Sequence, residues 1–400
     1  METGARLLTR NFVLLSAGHF LQALGMTSMV LLPLYLDHLG ATRGVIGLVL
    51  ATAACGGLLT RPLVGYLLDH WGRRQTVALG TALSVAALLA LGTVGTISWW
   101  LYAVQFVFGM GIGAMFTGYF TFASDHIPAS RRTEGIALFG VFGLLPLGLN
   151  GLTERLGVSG GELRFVFPVV GLVVLLSIVA LVLVPDAHAP TGASTDSRRT
   201  RMGRTARALA SVPLLPVWTA TALFSSAVAV FMAFATVTAA SRGVAYPATL
   251  WLVYALSAVG VRVLGGGLPD RVGPSRFVAP ALALYGAGLV VTAFASSQGW
   301  FLLAGLLAGA GHGYCFPILA SQVVGRSPEV LRGAGFAVFT GLWDLCQISV
   351  RPLFGLVADR AGDARMYLSL VAIVAVGLVV WVALEARHTR ASSAGRVPAA

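Results

Sequence analysis

Long apolar segments recur along the whole chain, separated by short stretches that hold most of the charged residues. A helix needs about 20 apolar residues to cross the hydrocarbon core of a bilayer, and about twelve segments reach that length. The first six predicted helical spans cover residues 11–36, 43–68, 75–96, 98–123, 133–156 and 164–185. The second six cover residues 213–240, 245–268, 275–296, 299–324, 333–358 and 366–386.

The composition also indicates a membrane protein. Hydrophobic residues make up 57% of the 400 residues and charged residues only 10%, with a mean hydropathy of +0.84. Soluble domains carry roughly a quarter charged residues, so a bilayer must solvate most of this chain. Cys55, Cys315 and Cys346 all fall inside predicted spans, which argues against a disulfide framework or a zinc site.

A four-residue skeleton occurs twice, about 200 residues apart, near the ends of spans two and eight. Its two copies, which have the same spacing, are Arg61, Gly65, Asp69, Gly72 and Arg262, Gly266, Asp270, Gly273. Other pairs keep nearly the same offset, among them Gly109 with Gly309 and Pro128 with Pro328. A colinear series of this kind indicates two homologous halves, as in duplicated membrane transporters.

The chain is therefore predicted to be an all-α membrane protein with twelve transmembrane helices in two pseudo-symmetric six-helix bundles. The N-terminal bundle is expected over residues 1–186, and the C-terminal bundle with a short tail over residues 213–400. Residues 187–212 are rich in Pro, Gly, Ser, Thr and Arg, and are predicted to be a basic cytoplasmic linker.

Arginine determines the predicted orientation, because the chain contains no lysine. If both termini are cytoplasmic, most of the loop arginines lie on the cytoplasmic side, including the cluster from Arg198 to Arg207. The positive-inside rule favours this orientation, so the formal charge of +12 is mainly a topology signal. The arginines are scattered over short loops instead of forming one basic stripe, which argues against nucleic-acid binding.

The segment from Gly65 to Arg74, Gly-Tyr-Leu-Leu-Asp-His-Trp-Gly-Arg-Arg, resembles the signature loop between helices two and three of the major facilitator superfamily. The shorter echo from Gly266 to Gly273 lies where that family repeats the motif. The resemblance covers the whole chain and is closest to bacterial members that exchange drugs or metabolites for protons. It implies two bundles around a central cavity that opens alternately to either side of the inner membrane.

The resemblance also implies a cytoplasmic latch that stabilises the outward-open state. The latch consists of both copies of the skeleton together with Arg73. Asp69 can accept hydrogen bonds from a facing helix N-terminus and pair with Arg73, while glycines let neighbouring helices approach closely. The alternative is that these residues only anchor helix ends. A further run, from Arg351 through Asp359 to Gly362, is a candidate for an external gate or a helix-end anchor.

Asp344 is the main candidate for proton coupling. It lies near the middle of span eleven, where a carboxylate is costly and usually functional. Gln347 and Arg351 follow at helical spacing, so one face of the helix carries a polar stripe. The alternative is a structural aspartate that is permanently neutral or paired.

Two histidines and a set of polar or aromatic residues complete the predicted site. His312 and His19 can titrate near neutral pH and are weaker proton-coupling candidates, each with a purely structural role as its alternative. The candidates for the substrate cavity are Gln22, Gln105, Ser225, Ser226, Tyr314, Trp343 and Gln347. Their mostly neutral character favours a lipophilic or weakly charged solute.

The favoured function is secondary active transport of a small organic solute, outward in exchange for protons, by a monomer without a cofactor or a metal. The alternative is a proton-coupled or facilitated importer of a nutrient or metabolite. Gln105 stands where proton-driven exporters of the family usually carry an arginine, and their helix-five motif is only partly matched around Pro146. An enzyme is disfavoured, because no nucleophile motif, phosphate loop or metal-spaced cluster accompanies Asp125 and His126.

Overall fold

The computed structural model describes residues 6–128, 131–185 and 198–394, which form helices joined by short loops, with no strand among them. Residues 187–197 of the predicted linker and the last residues of the tail lie outside the described part of the chain. The spans of the first half are Arg10–Ser28 with Leu32–His38, Arg43–His70, Arg73–Leu91, Trp99–His126, Arg132–Leu144 with Gly151–Arg155, and Leu163–Leu175 with Ser177–Leu183. Those of the second half are Leu215–Ser241, Leu250–Gly265, Ser275–Phe294, Gln298–Arg326, Arg332–Ala361 and Asp363–Ala394.

These segments are numbered spans one to twelve in chain order. Eleven of them are long and apolar enough to cross a membrane, span five being the exception among the described residues. The prediction of an all-α membrane protein with twelve spans is confirmed. Span seven is the most enclosed, with 83% of its apolar window buried, so the centre of the core lies around it.

Span five differs from the prediction of one continuous helix over residues 133–156. A 3₁₀ segment, Leu145–Asn150, interrupts it. Pro146 is the physical reason, because proline has no N–H to donate and its ring disfavours the preceding helical turn. The Asn150 side chain fixes the interruption by donating to the carbonyl of Leu147 at 2.9 Å and to that of Thr27 in span one at 3.2 Å.

The arginine-rich second part of the predicted linker forms a helix, Arg198–Leu209. This helix packs against span eleven and against the short 3₁₀ turn Glu329–Leu331 that precedes it. The described part of the linker is therefore seated on the second half of the molecule. The boundaries predicted for the two bundles stay a prediction.

The molecule has two ends, which we name from the chain. The terminal end carries Arg10, the loop at Gly72, the linker helix and the loop at Ser327, whereas the far end carries the loops at residues 39–42, 156–162, 242–249 and 362. Between the halves, span two packs antiparallel on span eleven, and span eight packs on the interrupted part of span five. The last helical segment of span one also contacts span seven.

The repeated skeleton has a repeated backbone geometry. Gly72 and Gly273, the last residues of its two copies, both adopt positive φ, at 112° and 103°. Only glycine populates this region without steric cost, so each copy needs glycine where the chain turns into the next span. Gly109 and Gly309 correspond in the same way, since a Cβ on either would lie within 2.3 Å of a carbonyl oxygen of the neighbouring span.

We predict that Gly309→Ala destabilises the protein by about 2 kcal/mol, as overpacking does in well-packed cores. Its added methyl group would lie 2.3 Å from the Tyr254 carbonyl oxygen, and backbone cannot give way as a side chain can. Gly260→Ala is the matched control, because no atom lies within 4 Å of the new Cβ. Thermal unfolding in detergent measures both; equal melting temperatures for the two variants would contradict the packing argument.

Candidate functional site

The interface between spans two and eleven is tight at the far end and open toward the terminal end. A Cβ on Gly47 would lie 2.3 Å from the Arg351 carbonyl oxygen, and a Cβ on Gly355 would lie 2.3 Å from that of Arg43. Gly65 follows Gly47 by about five helical turns and so lies on the same face. A Cβ on Gly65 would have no neighbour within 4 Å. The two halves therefore diverge toward the terminal end.

A carboxylate of the second half caps a helix of the first half at the far end. Asp359, near the end of span eleven, accepts hydrogen bonds from the backbone N–H groups of Arg43 at 2.7 Å and Gly44 at 2.8 Å. These groups belong to the first turn of span two, where backbone donors have no partner within the helix. Charge-assisted bonds at a helix N-terminus are favoured by the helix dipole as well.

The corresponding spans of the other pair are joined by a similar contact, with the halves exchanged. Glu154, at the end of span five, accepts from the backbone N–H of Ala248, which precedes span eight, at 2.8 and 2.9 Å to its two oxygens. Spans five and eleven correspond in the repeat, as do spans two and eight. The far end is thus closed by two carboxylate caps, one on each pair of corresponding spans, which we call the far-end clasps.

Asp344 and Arg61 form an ion pair between the halves. The Asp344 carboxylate lies 2.6 Å from Nη2 and 2.7 Å from Nε of Arg61. The same guanidinium donates to the carbonyl oxygen of Thr340 at 3.2 Å, so it binds two consecutive turns of span eleven. Both side chains are partly exposed, at 35% for Arg61 and 16% for Asp344. Arg61, which the sequence placed in the latch, and Asp344, which it placed in proton coupling, therefore form one ion pair.

Neither histidine bonds to Asp344. His312 Nδ1 lies 2.6 Å from the hydroxyl of Tyr254, and its ring packs edge-on against Phe224. His19 Nδ1 lies 3.1 Å from Oε1 of Gln22, and its ring stacks on Phe139 with centroids 4.4 Å apart. Each histidine is thus buried inside its own half with a local partner, which is the arrangement expected of the structural alternative.

The substrate-cavity candidates divide into a group beside span eleven and a group within the first half. Ser225 donates to the carbonyl of Trp343 at 3.1 Å, and the ring of Trp343 lies 5.8 Å from that of Phe316. Tyr314 packs on Phe277 instead, and Ser226 is half-buried beside Ser225. Gln22, Gln105 and Gln347 are buried and, among the described residues, each leaves one amide atom without a hydrogen-bond partner.

Apart from Arg61, which binds span eleven of the other half, the described latch side chains bond to groups of their own half in this conformation. Arg73 lies 3.8 Å from Asp69 and 3.1 Å from Asp125, and it donates to the Leu68 carbonyl at 2.9 Å. Asp69 is 53% exposed. Arg262, in the second copy, donates to the Gly313 carbonyl at 3.2 Å. The side chain of Asp270 lies outside the described part of the structure, and Gly266 ends span eight.

Three contributors were missed by sequence reasoning. Glu154 carried a weak signal, because it ends span five as Asp359 ends the corresponding span eleven. Asp125 had none beyond its place at the end of a span, yet it is the nearest acid to Arg73. Tyr254, the partner of His312, was indistinguishable from the other aromatic residues of the apolar spans.

Twelve membrane spans, in two halves that meet through an internal ion pair and close at one end only, form the architecture expected of a membrane transporter. The sequence profile described as Major Facilitator Superfamily matches residues 15–350. The chain belongs to that family, and the resemblance noted in its sequence is confirmed.

Relatives and solved structures agree with this assignment. An uncharacterized MFS-type transporter of Salmonella typhimurium is 27% identical over 396 residues, covering 94% of this chain and 96% of the relative. The uncharacterized MFS-type transporter YhhS of Escherichia coli K12 is 27% identical over 377 residues, covering 90% and 88%.

Among solved structures, that of the nucleoside transporter NupG superposes with a TM-score of 0.80 at 12% identity, covering 94% of this chain and 100% of that one. A POT family transporter in complex with 5-aminolevulinic acid gives a TM-score of 0.78 at 12% identity, covering 95% and 97%. At such identities the structural likeness shows the fold alone.

We predict that Asp359→Asn and Glu154→Gln each increase the opening of the far end. Each substitution removes the negative charge and one of the two acceptor oxygens, which costs about 1 kcal/mol and corresponds to roughly a fivefold shift in a two-state equilibrium. Leu50→Cys, introduced into a cysteine-free background, reports the opening through its labelling rate with a membrane-impermeant maleimide, because Leu50 is 6% exposed at this interface.

Asp37→Asn is the matched control for the clasps. Asp37 pairs at 2.6 Å with the side chain of Arg43, the residue whose backbone N–H binds Asp359, and lies in the same half as Arg43. Its replacement should leave the labelling of Leu50→Cys unchanged. Equal labelling rates in the clasp variants and this control would show that the caps do not hold the far end closed.

Proposed function

We propose that this protein is a proton-coupled secondary active transporter that moves a small organic solute outward by alternating access, with Asp344 as the proton-binding residue. The ion pair between Asp344 and Arg61 supports the proposal more than any other observation, because it joins the two bodies that must move against each other. A solute bound between the halves would be exposed to one side or the other as they rock. The protein acts as a monomer, with both termini in the cytoplasm and the far end outside.

Protonation of Asp344 would alter the balance between the two conformations. The ionised carboxylate binds Arg61 of span two, and Arg351 of its own span is the other charged group that acts on it. A proton removes the negative charge and so weakens the link between spans two and eleven. A ligand shifts a conformational equilibrium by its difference in affinity for the two states, so proton binding can drive the rearrangement.

Import is the second candidate, and one position favours it. Gln105 occupies the place of the arginine that proton-driven exporters of the family usually carry, and it lies buried beside Met29, whose sulfur is 3.9 Å from Nε2. A neutral amide there provides no positive charge for an exchange mechanism. Everted and right-side-out membrane vesicles separate the candidates: an exporter accumulates solute in the former and an importer in the latter.

We predict that Asp344→Asn abolishes gradient-driven transport and leaves solute exchange without a gradient intact. Everted vesicles with an imposed pH gradient are supplied with a pooled library of small organic solutes, and accumulation is measured by mass spectrometry with and without the ionophore nigericin. The wild type should lose its accumulation when nigericin collapses the gradient. The variant should show at most a tenth of the nigericin-sensitive accumulation.

Asp37→Asn again serves as the control, because Asp37 forms an ion pair at the far end within one half. It should keep the nigericin-sensitive accumulation. An Asp344→Asn variant that also kept it would remove Asp344 from the coupling mechanism.

The latch gives a separate prediction. In the state with a closed terminal end, Asp69 would face span eleven, where it is proposed to hold the halves together with the help of Arg73. Asp69→Asn should therefore increase, about threefold, the labelling of Gly341→Cys, since roughly 0.7 kcal/mol of cap and charge interactions is at stake. Gly341 is a suitable reporter because a Cβ there would have no neighbour within 4 Å in the open arrangement.

Glu385→Gln is the control for the latch. Glu385 also lies toward the terminal end, and it pairs with Arg326 at 2.6 Å inside the second half. Glu385→Gln should leave the labelling of Gly341→Cys unchanged. If Asp69→Asn also left this labelling unchanged, Asp69 would only anchor a helix end.

A further inference from the structure

The middle of the interface between the halves carries more positive than negative charge. Arg61, Arg262 and Arg351 lie there, whereas Asp344 pairs with Arg61 and interacts with the charge of Arg351. Since Asp344 is bound to Arg61, the charges of the other two arginines are not matched by a carboxylate within 4 Å among the described residues. Charges in a membrane protein are expensive unless they are paired or reach water, so this excess requires an explanation.

The internal repeat shows where a carboxylate is missing. Arg61 and Arg262 occupy equivalent positions in spans two and eight. Arg61 binds the Thr340 carbonyl of span eleven, and Nη1 of Arg262 would lie 3.8 Å from a Cβ on Gly140, the residue of span five that corresponds to Thr340. Each arginine therefore faces the equivalent span of the opposite half.

The two sites differ one helical turn further on. At that position span eleven carries Asp344, whereas span five carries Leu144. Arg262 consequently has only the Gly313 carbonyl, at 3.2 Å, as a hydrogen-bond partner among the described residues. A carbonyl accepts a hydrogen bond but does not neutralise the charge, and a guanidinium has five N–H donors to satisfy. Arg262 is half-buried, so a solute that enters from the open terminal end can reach it.

We propose that Arg262 binds a negatively charged group of the transported solute, a carboxylate or a phosphate, in the place that corresponds to that of Asp344 at Arg61. The inference rests on the proposed function, because it takes the interface between the halves as the path of the solute. It replaces the expectation of a lipophilic or weakly charged solute with that of an organic anion. A guanidinium binds carboxylate and phosphate oxygens in a bidentate manner, which gives the site both affinity and orientation.

The test compares organic acids with uncharged compounds that have the same carbon skeleton. Benzoate, succinate and glucose 6-phosphate are paired with benzamide, succinamide and glucose, and thermal stabilisation of the purified protein in detergent is measured over a millimolar concentration range. At least one acid should stabilise the wild type at a concentration tenfold lower than its neutral partner. No stabilisation by any acid, or equal stabilisation by acid and neutral partner, overturns the proposal.

Substitutions at both sides of the site make the test specific. Arg262→Gln should abolish the preference for acids, and Arg262→Lys should retain part of it. Leu144→Asp supplies the carboxylate that the repeat lacks. The new carboxylate should pair with the Arg262 guanidinium, which raises the melting temperature. It should also abolish acid binding, because Arg262 is then no longer available to a solute. Acid binding that persists in both Arg262→Gln and Leu144→Asp overturns the proposal, and Leu144→Asp decides the matter if Arg262→Gln does not fold.

Two further arms distinguish solute binding at Arg262 from the general loss of an arginine and from lipid binding. Arg242→Gln is the control for loss of an arginine, because Arg242 donates to three carbonyl oxygens and, among the described residues, forms no ion pair, but lies at the far end; it should keep the preference for acids. Phosphatidylglycerol added without solute tests a lipid headgroup; an Arg262-dependent shift with this lipid alone overturns the solute assignment. If neutral solutes still accumulate in vesicles under a pH gradient, the transporter proposal stands although the anion proposal fails.

Discussion

The cost of placing charge inside a membrane is the constraint on which this structure depends. An arginine or an aspartate in the middle of a span is tolerated only when it faces protein or water. Arg61 and Asp344 meet that condition by binding each other across the interface of the two halves at 2.6 Å. Because the partners belong to different halves, the energy of the pair depends on the arrangement of those halves. The strength of the Arg61–Asp344 ion pair therefore depends on the conformation of the protein.

Contacts between the halves at the far end use backbone groups as well as one ion pair, that of Arg43 with Asp363 at 3.5 Å. The first N–H groups of a helix have no partner within the helix, and a carboxylate from another span satisfies them at little cost in side-chain entropy. Asp359 and Glu154 do so for spans two and eight, and glycines at 47 and 355 let the helices approach until backbone meets backbone. Such contacts form only at close range, so they would break together in the proposed rocking of the halves.

The sequence predicted the spans and the duplication well, because length and hydropathy are properties of the segments themselves. It also selected Asp344, since an acid in an apolar span is visible without knowledge of its neighbours. The partner of Asp344 was not predictable: helical periodicity indicates a face of span eleven but not which residue of span two lies opposite. The 3₁₀ interruption of span five was missed for a related reason, since Pro146 signals a weak point and only the bond from Asn150 to span one fixes its form. The isolation of both histidines from Asp344 likewise follows from packing that no local pattern encodes.

The positions at which the two halves differ say more about function than the positions at which they match. Matching positions such as Gly72 and Gly273, or Gly109 and Gly309, build the turn and the close contacts that both halves need. Gln105, His312 and Asp344 correspond to Gly305, Ile112 and Leu144, so each polar group is present in one half only. In the proposed mechanism a symmetric scaffold suffices for two bundles to rock, but a solute and a proton need different groups on the two sides of one cavity. The positions at which the halves differ in polarity, within otherwise equivalent spans, are therefore where we expect the proposed recognition and coupling to take place.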